Sequence, residues 1–286
     1  MPKHKLNAAG TSGAVSAPFG ALGAGAADQA AFVGVFDIGQ GGFNGVFNAD
    51  GRPFLYFDMG GGIKGLLYTY PDPPPEFCFS SLRLIVQSHF DEDHYKTATL
   101  PAFQAHFAPG DLLVIPQHPM GVLGGAAIDA LDHGGVDIYF WPVAGLAAIA
   151  LGGTGIEVIK CGGRGKNHNG LALRIQDPGA ANEWVLLPAD AHFRRAVFPW
   201  DHGGANPDGR MIGIGPTHHG ARETDGNIPQ ALGGAVRAAA YSFGPGNLFG
   251  HPFNQAAHAR GDGVNSYQNR GYVAGGRLQT AGEPID

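Results

Sequence analysis

One stretch constrains this chain more than any other: the apolar run Leu82-Arg83-Leu84-Ile85-Val86, followed two residues later by His89-Phe90-Asp91-Glu92-Asp93-His94. A short continuous apolar run without alternation marks a strand buried on both faces, as at the centre of a parallel sheet. A loop leaving such a strand end can aim alternate side chains into one space. His89, Asp91, Asp93 and His94 then offer imidazole and carboxylate ligands that suit a borderline divalent metal such as zinc or manganese. A solvated loop whose Asp93 caps the next helix would account for one of these residues. Two histidines interleaved with two aspartates point to a metal.

The same plan recurs further along. Trp184–Leu187 leads to Asp190, Met211–Ile214 to His218-His219-Gly220, and Ala238–Phe243 to Gly250-His251-Pro252. Taken alone, Asp190 reads as a turn residue. At the mouth of an apolar strand its two oxygens could instead bridge two metals. Side chains of adjacent histidines diverge, so one of His218 and His219 is expected on a metal while its neighbour faces substrate. Strand ends that carry His or Asp at one sheet edge are how α/β proteins assemble a site.

Around these positions, residues 1–30 are rich in Gly and Ala and read as a flexible tail, with a single domain over 31–286. Strand-like runs at Ala31–Ile38, Phe43–Asn48 and Pro53–Met59 open the domain, with Asn48-Ala49-Asp50-Gly51 as a hairpin turn. Helices are expected from about His94 to Phe107 and Met120 to Leu131. Further strands are expected at Leu112–Ile115, Val136–Phe140, Ile156–Ile159 and Leu171–Ile175. Strands and helices thus interleave in two successive sets, the pattern of helices covering a layered pair of sheets. With 44% hydrophobic and 15% charged residues the chain can bury a sizeable core, and its 48 glycines in 286 residues, well above the usual share of about 7%, imply many tight turns.

The composition also excludes. A net charge of −6 gives no whole-molecule attraction to nucleic acid and leaves only a local basic rim for that purpose. Cys78 and Cys161 are isolated and read as small buried apolar residues. With no disulfide framework, the reducing cytoplasm is the expected compartment. No run approaches the ~18 apolar residues of a membrane helix, and the N-terminus lacks a secretory core, so no membrane partner is expected. GxSxG and HExxH are both absent. Gly162–Asn167 fails the phosphate-loop pattern at Lys160 and at Asn167, and reads as a basic glycine loop reaching over the site. His4, His106, His118, His133, His202 and His258 have no partner motif, and Tyr68–Pro75 reads as an exposed loop bordering the cleft.

His89-Phe90-Asp91-Glu92-Asp93-His94 resembles the signature of the metallo-β-lactamase superfamily, in the variant with Asp where the second His usually stands. Further matches are Phe36-Asp37-Ile38-Gly39-Gln40-Gly41, Phe57-Asp58-Met59-Gly60-Gly61-Gly62, Leu187-Pro188-Ala189-Asp190, His218-His219-Gly220 and Asn247-Leu248-Phe249-Gly250-His251-Pro252. As a set, in family order over about 32–252, they resemble the ComEC-like branch, the hydrolase domain of DNA-uptake competence proteins. The resemblance implies an α/β fold, a four-layer αββα sandwich, with two divalent metal ions (zinc or manganese) at one edge. His89 and Asp91 would hold one ion and Asp93, His94 and His219 the other, with Asp190 bridging. Asp93, His218 and His251 would act in catalysis, His218 as a substrate-facing acid or phosphate donor. The glycines after Ile38 and Met59 fit close backbone approach near the site.

The chain departs from the family in places. Asn167-His168-Asn169-Gly170 stands where a further His ligand usually lies, leaving His168 either a shifted ligand or a polar loop residue. Ala189 replaces a Gly, Ala221 replaces a Ser, and the membrane channel of the competence protein is absent. The expected activity is hydrolysis by hydroxide that two metals make available at neutral pH. A carboxylate-rich ligand set favours phosphodiesters, either small molecules or short or single-stranded nucleic acid, with Arg164, Lys166 and His168 as substrate contacts. Hydrolysis of an ester, thioester or lactam is the alternative. A redox or sensor metal protein is disfavoured, because redox members carry Glu where Asp91 stands and add an electron-carrying domain.

Overall fold

The computed structural model describes residues 4–5, 29–36, 38–61, 70, 76–79, 84–117, 119–141, 148–196, 210–220, 228–233, 237–241 and 272–274. Strands β1 (His4–Lys5), β2 (Phe32–Val35), β3 (Asn44–Phe47), β4 (Pro53–Phe57), β5 (Leu84–Val86), β6 (Leu112–Pro116) and β7 (Asp137–Trp141) form one seven-stranded sheet in the order β1-β7-β6-β5-β4-β3-β2. β2 to β4 are an antiparallel meander; β4 to β7 then run parallel. The second half repeats the plan. β8 (Ala148–Leu151), β9 (Ile156–Lys160), β10 (Leu171–Asp177) and β11 (Ala180–Leu187) form a meander, and β12 (Met211–Ile214), β13 (Arg237–Ala239) and β14 (Tyr272–Ala274) follow in parallel. The repeat is one of topology, with no sequence period behind it.

Strand alternation decides what each face buries. In β5 and β6, Leu84, Val86, Leu112 and Val114 point to a core shared with Val158, Leu171, Leu173 and Leu187 of the second sheet. Ile85, Leu113 and Ile115 point the other way, onto Phe90, Tyr95, Phe103, Ile128 and Leu131. The central strands are therefore apolar on both faces, as their unbroken hydrophobic runs require. Each fully buried side chain of this kind contributes about 1.5–3 kcal/mol. The outer face of the first sheet is covered by α1 (Glu92–Tyr95), α2 (Pro101–Gln104) and α3 (Val122–His133). Over the second sheet, Phe193 of α4 (Phe193–Ala196) packs with Leu186, Met211 and Ile214. The result is an α/β sandwich of two mixed sheets between helices. No helix among the described residues is long and apolar enough to cross a membrane.

Several elements differ from the sequence expectation. The helix expected over 94–107 is broken into α1, a 3-10 turn at Lys96–Thr99 and α2. Pro101 causes the second break, forcing the preceding Leu100 into extended backbone (φ −86°, ψ 123°), and the first falls at Tyr95 (φ −131°, ψ 1°). Cys78 is exposed rather than buried, its carbonyl accepting from the Tyr56 hydroxyl at 2.6 Å; Cys161 is buried as expected. Within the expected tail, His4 and Lys5 pair in parallel with Tyr139 and Phe140 of β7. The Asn48–Gly51 turn is present: the Asn48 side chain accepts from the Asp50 and Arg52 amides, and Gly51 takes a φ of 76°.

The glycines after Met59 seat α1 on the sheet edge. Met59 N donates to His94 O at 2.8 Å, Gly42 N to Asp93 O at 3.0 Å and Gly60 N to Gly42 O at 2.9 Å. A β-carbon on Gly60 would run into the Asp93 and Gly42 carbonyl oxygens, which are backbone and cannot swing aside. Gly60→Ala is therefore expected to destabilise the fold by about 1–3 kcal/mol, read by chemical denaturation. An unchanged midpoint would contradict this packing.

Candidate metal centre

The parallel strands β4 and β5 end side by side, delivering Asp58 and the Ser88-His89 pair to one edge. Asp58 is 1% exposed. Its Oδ1 accepts from Ser88 N (2.6 Å) and Gln87 Nε2 (3.0 Å), and its Oδ2 from the Ser88 hydroxyl (2.8 Å) and His94 Nδ1 (2.7 Å). Because a carboxylate only accepts, His94 carries its proton on Nδ1 and presents the Nε2 lone pair outward. Ser88 extends the same logic. Its one proton goes to Asp58, so its oxygen accepts from His89 Nδ1 at 2.9 Å, and the His89 Nε2 lone pair is likewise bare. Gln87 Nε2 also holds the His89 and His94 carbonyls, at 2.8 and 3.0 Å.

Asp190, 4% exposed after β11, faces both rings with different oxygens. Its Oδ1 lies 3.1 Å from His94 Nε2 and 3.8 Å from His219 Nε2; its Oδ2 lies 3.3 Å from His89 Nε2 and 3.6 Å from His218 Nε2. His219 Nε2 is 3.2 Å from Asp93 Oδ2. Two sets of donor atoms lie close enough to hold an ion: His89, His94 and Asp190, and Asp93, His94 and His219. His89 Nε2, His94 Nε2 and Asp190 Oδ1 are buried and make no hydrogen bond. Buried polar atoms are otherwise satisfied almost without exception. Lone pairs converging beside carboxylates are what a divalent cation fits.

The electrostatics show a demand for positive charge here: without a cation the carboxylates favour a second proton on His94, which a bound dication would displace. Burial alone would lower the His94 pKa, but the charges of Asp190 and Asp58 outweigh it and hold the ring well above the usual histidine value. Burial would raise Asp190, yet His94 and His89 hold it well below the carboxylate range. Burial likewise opposes ionisation of Asp93, and the His219 hydrogen bond with the His94 and His219 charges lowers it to about 2. Burial lowers His218, with Asp190 partly opposing.

Backbone strain collects here as well. Among the described residues the non-glycine positions with positive φ are Asp58 (65°), Ala189 (51°), His218 (47°) and His219 (56°), all in or beside the cluster. The left-handed region costs an L-residue roughly 1–2 kcal/mol, and such outliers concentrate where function holds them. His218 N donates to Ala189 O at 2.9 Å, so the turns after β11 and β12 are tied together.

Of the expected residues, His89, Asp93, His94, Asp190 and His219 fall in the two donor sets, and Asp91 falls in neither. Asp91 Oδ2 is 3.4 Å from His89 Nε2, and its Oδ1 is held by the Lys166 ammonium. The half-exposed His218 faces Asp190 from the open side. His168 is turned onto His192 (ring centroids 4.6 Å apart), and it is Asn167 that reaches the centre, its Nδ2 donating to Asp190 Oδ2 at 3.2 Å. Arg164 is exposed, while His251 lies outside the described residues, as does most of Tyr68–Pro75. Asp58, Gln87, Ser88 and Asn167 have no role assigned from the sequence. Asp58 carried a signal, since it stands at an apolar strand end like the ligands themselves. The loop bearing Asn167 is pinned by Lys160, whose ammonium bonds the Asn169 carbonyl and side chain, and by Arg195, which exchanges hydrogen bonds with the Gly162 backbone at 3.1 Å.

Two outcomes follow. Ala189→Gly is expected to stabilise the fold by about 0.5–1 kcal/mol, since glycine takes φ of 51° without strain and this gain exceeds the added freedom of the unfolded chain. A lower melting temperature would refute the strain. The second concerns pH. Burial lowers Lys160 from 10.5 to about 8. The unfolded chain therefore binds more protons than the folded one between those values, and this group's contribution to stability rises with pH across the window. Below it the cost of the buried charge is fully present. The stability difference between wild type and Lys160→Met should change over pH 8–10.5 and be flat below; a flat difference throughout would refute the assignment.

Compared with known proteins, the sequence matches no family model and no curated protein. Similar solved structures include the metallo-β-lactamase fold protein YhfI from Bacillus subtilis, at 15% identity over 64% of this chain and 69% of that one, with a TM-score of 0.36. Zinc-bound PqqB from Methylobacterium extorquens is similar at 11% identity over 82% and 85%, with a TM-score of 0.44. What this centre can do is set by its own side chains.

Proposed function

We propose that the protein is a dinuclear metal-dependent hydrolase of the metallo-β-lactamase type, nearest the ComEC-like branch, acting on phosphodiesters. The observation that carries the reading is the buried Asp190 carboxylate, whose two oxygens face different imidazoles, His94 and His219 on one side and His89 on the other. A carboxylate placed so can serve two cations at once. Asp93, His94 and His219 would hold one ion, and His89 and Asp91 the other. When bound, zinc or manganese ions supply Lewis acidity and lower the pKa of a water toward neutrality.

The chain's own residues define the rest. Asp58 and Ser88 keep the His94 and His89 rings in the tautomer that leaves Nε2 open. Asp93 is lowered to about 2 and so stays a carboxylate throughout the neutral range. His218, half-exposed beside Asp190, would donate to a phosphoryl oxygen, and His251, outside the described residues, would be a second such donor. Three aspartates among six ligands suit a substrate that develops negative charge on phosphorus. The exposed Arg164 and Lys166 would supply a local cationic rim. The net charge of −6 works against long duplexes, whose affinity rests on neutralised phosphates, and favours small or single-stranded phosphodiesters. Free thiols at Cys78 and Cys161 fit a reducing cytoplasm.

The test combines metal analysis with turnover. Protein reconstituted with zinc or manganese should hold about two ions per chain and cleave bis-nitrophenyl phosphate. Asp190→Ala should lower occupancy of both ions, and His219→Ala should lose metal. His218→Ala should keep its metal and lose turnover by ~10²–10⁴-fold. Ester or lactam turnover with phosphodiesters inert would move the substrate class; failure to bind metal would remove the reading.

A further inference from the structure

The two lobes of the centre are unlike. Around Asp190 Oδ1 stand His94, His219 and, through His219, Asp93, with no lysine or arginine among the described contacts. Around Asp190 Oδ2 stand His89 and, at 3.6 Å, His218, and this lobe already contains donors of its own: Asn167 Nδ2 lies on the same oxygen at 3.2 Å, and Lys166 holds Asp91, the expected second ligand. Asp91 is also the one expected ligand outside both donor sets. Lys166 is delivered there by the pinned loop, with Asn169 N bonded to Gly165 O at 2.9 Å and Lys160 on Asn169, rather than by a chance surface contact.

Resting on the dinuclear reading above, we infer that Lys166 is a resident cationic competitor for Asp91, so that the chain loads its metals in order. The Asp93, His94, His219 and Asp190 lobe fills first and tightly. The His89 and Asp91 lobe fills second and more weakly, because the incoming cation has to displace an ammonium from the carboxylate it needs. A lysine carries one positive charge and no lone pair when protonated, so it satisfies Asp91 while the lobe is without metal and cannot itself serve as a ligand. The side chain is about half exposed, at 52%, so it can swing into solvent once a dication takes its place.

Metal-stripped full-length protein titrated with manganese(II) tests this, with free ion followed by electron paramagnetic resonance and heats by calorimetry. Wild type should show one tight and one weaker ion. In Lys166→Gln the second affinity should rise about fivefold, the upper end for an exposed ion pair, while the first stays within twofold. Lys166→Arg, which keeps the charge, should retain the weaker second ion, and Asp91→Asn should lose the second ion alone. Two ions of equal affinity in wild type, or a Lys166→Gln titration superposing on wild type, would overturn the inference while leaving the dinuclear reading intact. A protein taking up no manganese would overturn both.

Discussion

A carboxylate taken out of water has to be met by donors, and Asp58 is met by four: the Ser88 amide and hydroxyl, the Gln87 side chain and the His94 ring. Losing one of them would leave a buried charge short of a partner, which costs far more than an ordinary hydrogen bond returns. The network therefore fixes more than Asp58 itself. It sets the proton positions on His94 and, through Ser88, on His89. It also holds the chain reversal from β5 into α1, because Gln87 ties the His89 and His94 carbonyls to the same carboxylate. The outward lone pairs of two imidazoles thus follow from one buried acid on the neighbouring strand.

The second half of the molecule supplies the facing wall. Its parallel strands β11 and β12 end in turns carrying Asp190 and His218-His219, and these turns are joined by the hydrogen bond from His218 to Ala189. Holding Ala189, His218 and His219 at positive φ works against the intrinsic preference of each residue. Packing on both faces of the second sheet, Leu187 in the inter-sheet core and Leu186, Met211 and Ile214 in the core with Phe193, fixes β11 and β12 behind them and offsets it. A flexible loop with the same residues would relax, and the rings would turn away from Asp190.

The layout also explains why the centre has two characters. On the side of His94 and His219, carboxylates and imidazoles alternate and hold one another's charge. On the side of His89, a loop from between β9 and β10 intrudes with an amide and an ammonium. That loop is anchored on the second sheet by Lys160 and on the segment after Asp190 by Arg195. Its reach to Asp91 is thus a property of how the two halves meet.

What the sequence determined by itself was local. Apolar runs without alternation fixed the central strands, as at Leu84–Val86 and Leu112–Pro116, because both faces of such strands are buried in any fold that contains them. The recurrence of His or Asp just past those runs marked most of the candidate site, and the Gly60 position marked the close approach of α1. The tertiary structure alone decided the rest. Adjacent residues such as Asn167 and His168 look interchangeable in a sequence, and only the turn geometry sends the first to Asp190 and the second to His192. The choice between His218 and His219 depends on two left-handed residues that no pattern announces. The Lys166 contact with Asp91 spans 75 positions of chain, and Asp58 with His94 spans 36. Periodicity and spacing act over a few residues, whereas which distant side chains share a buried carboxylate is settled only when the two sheets pack.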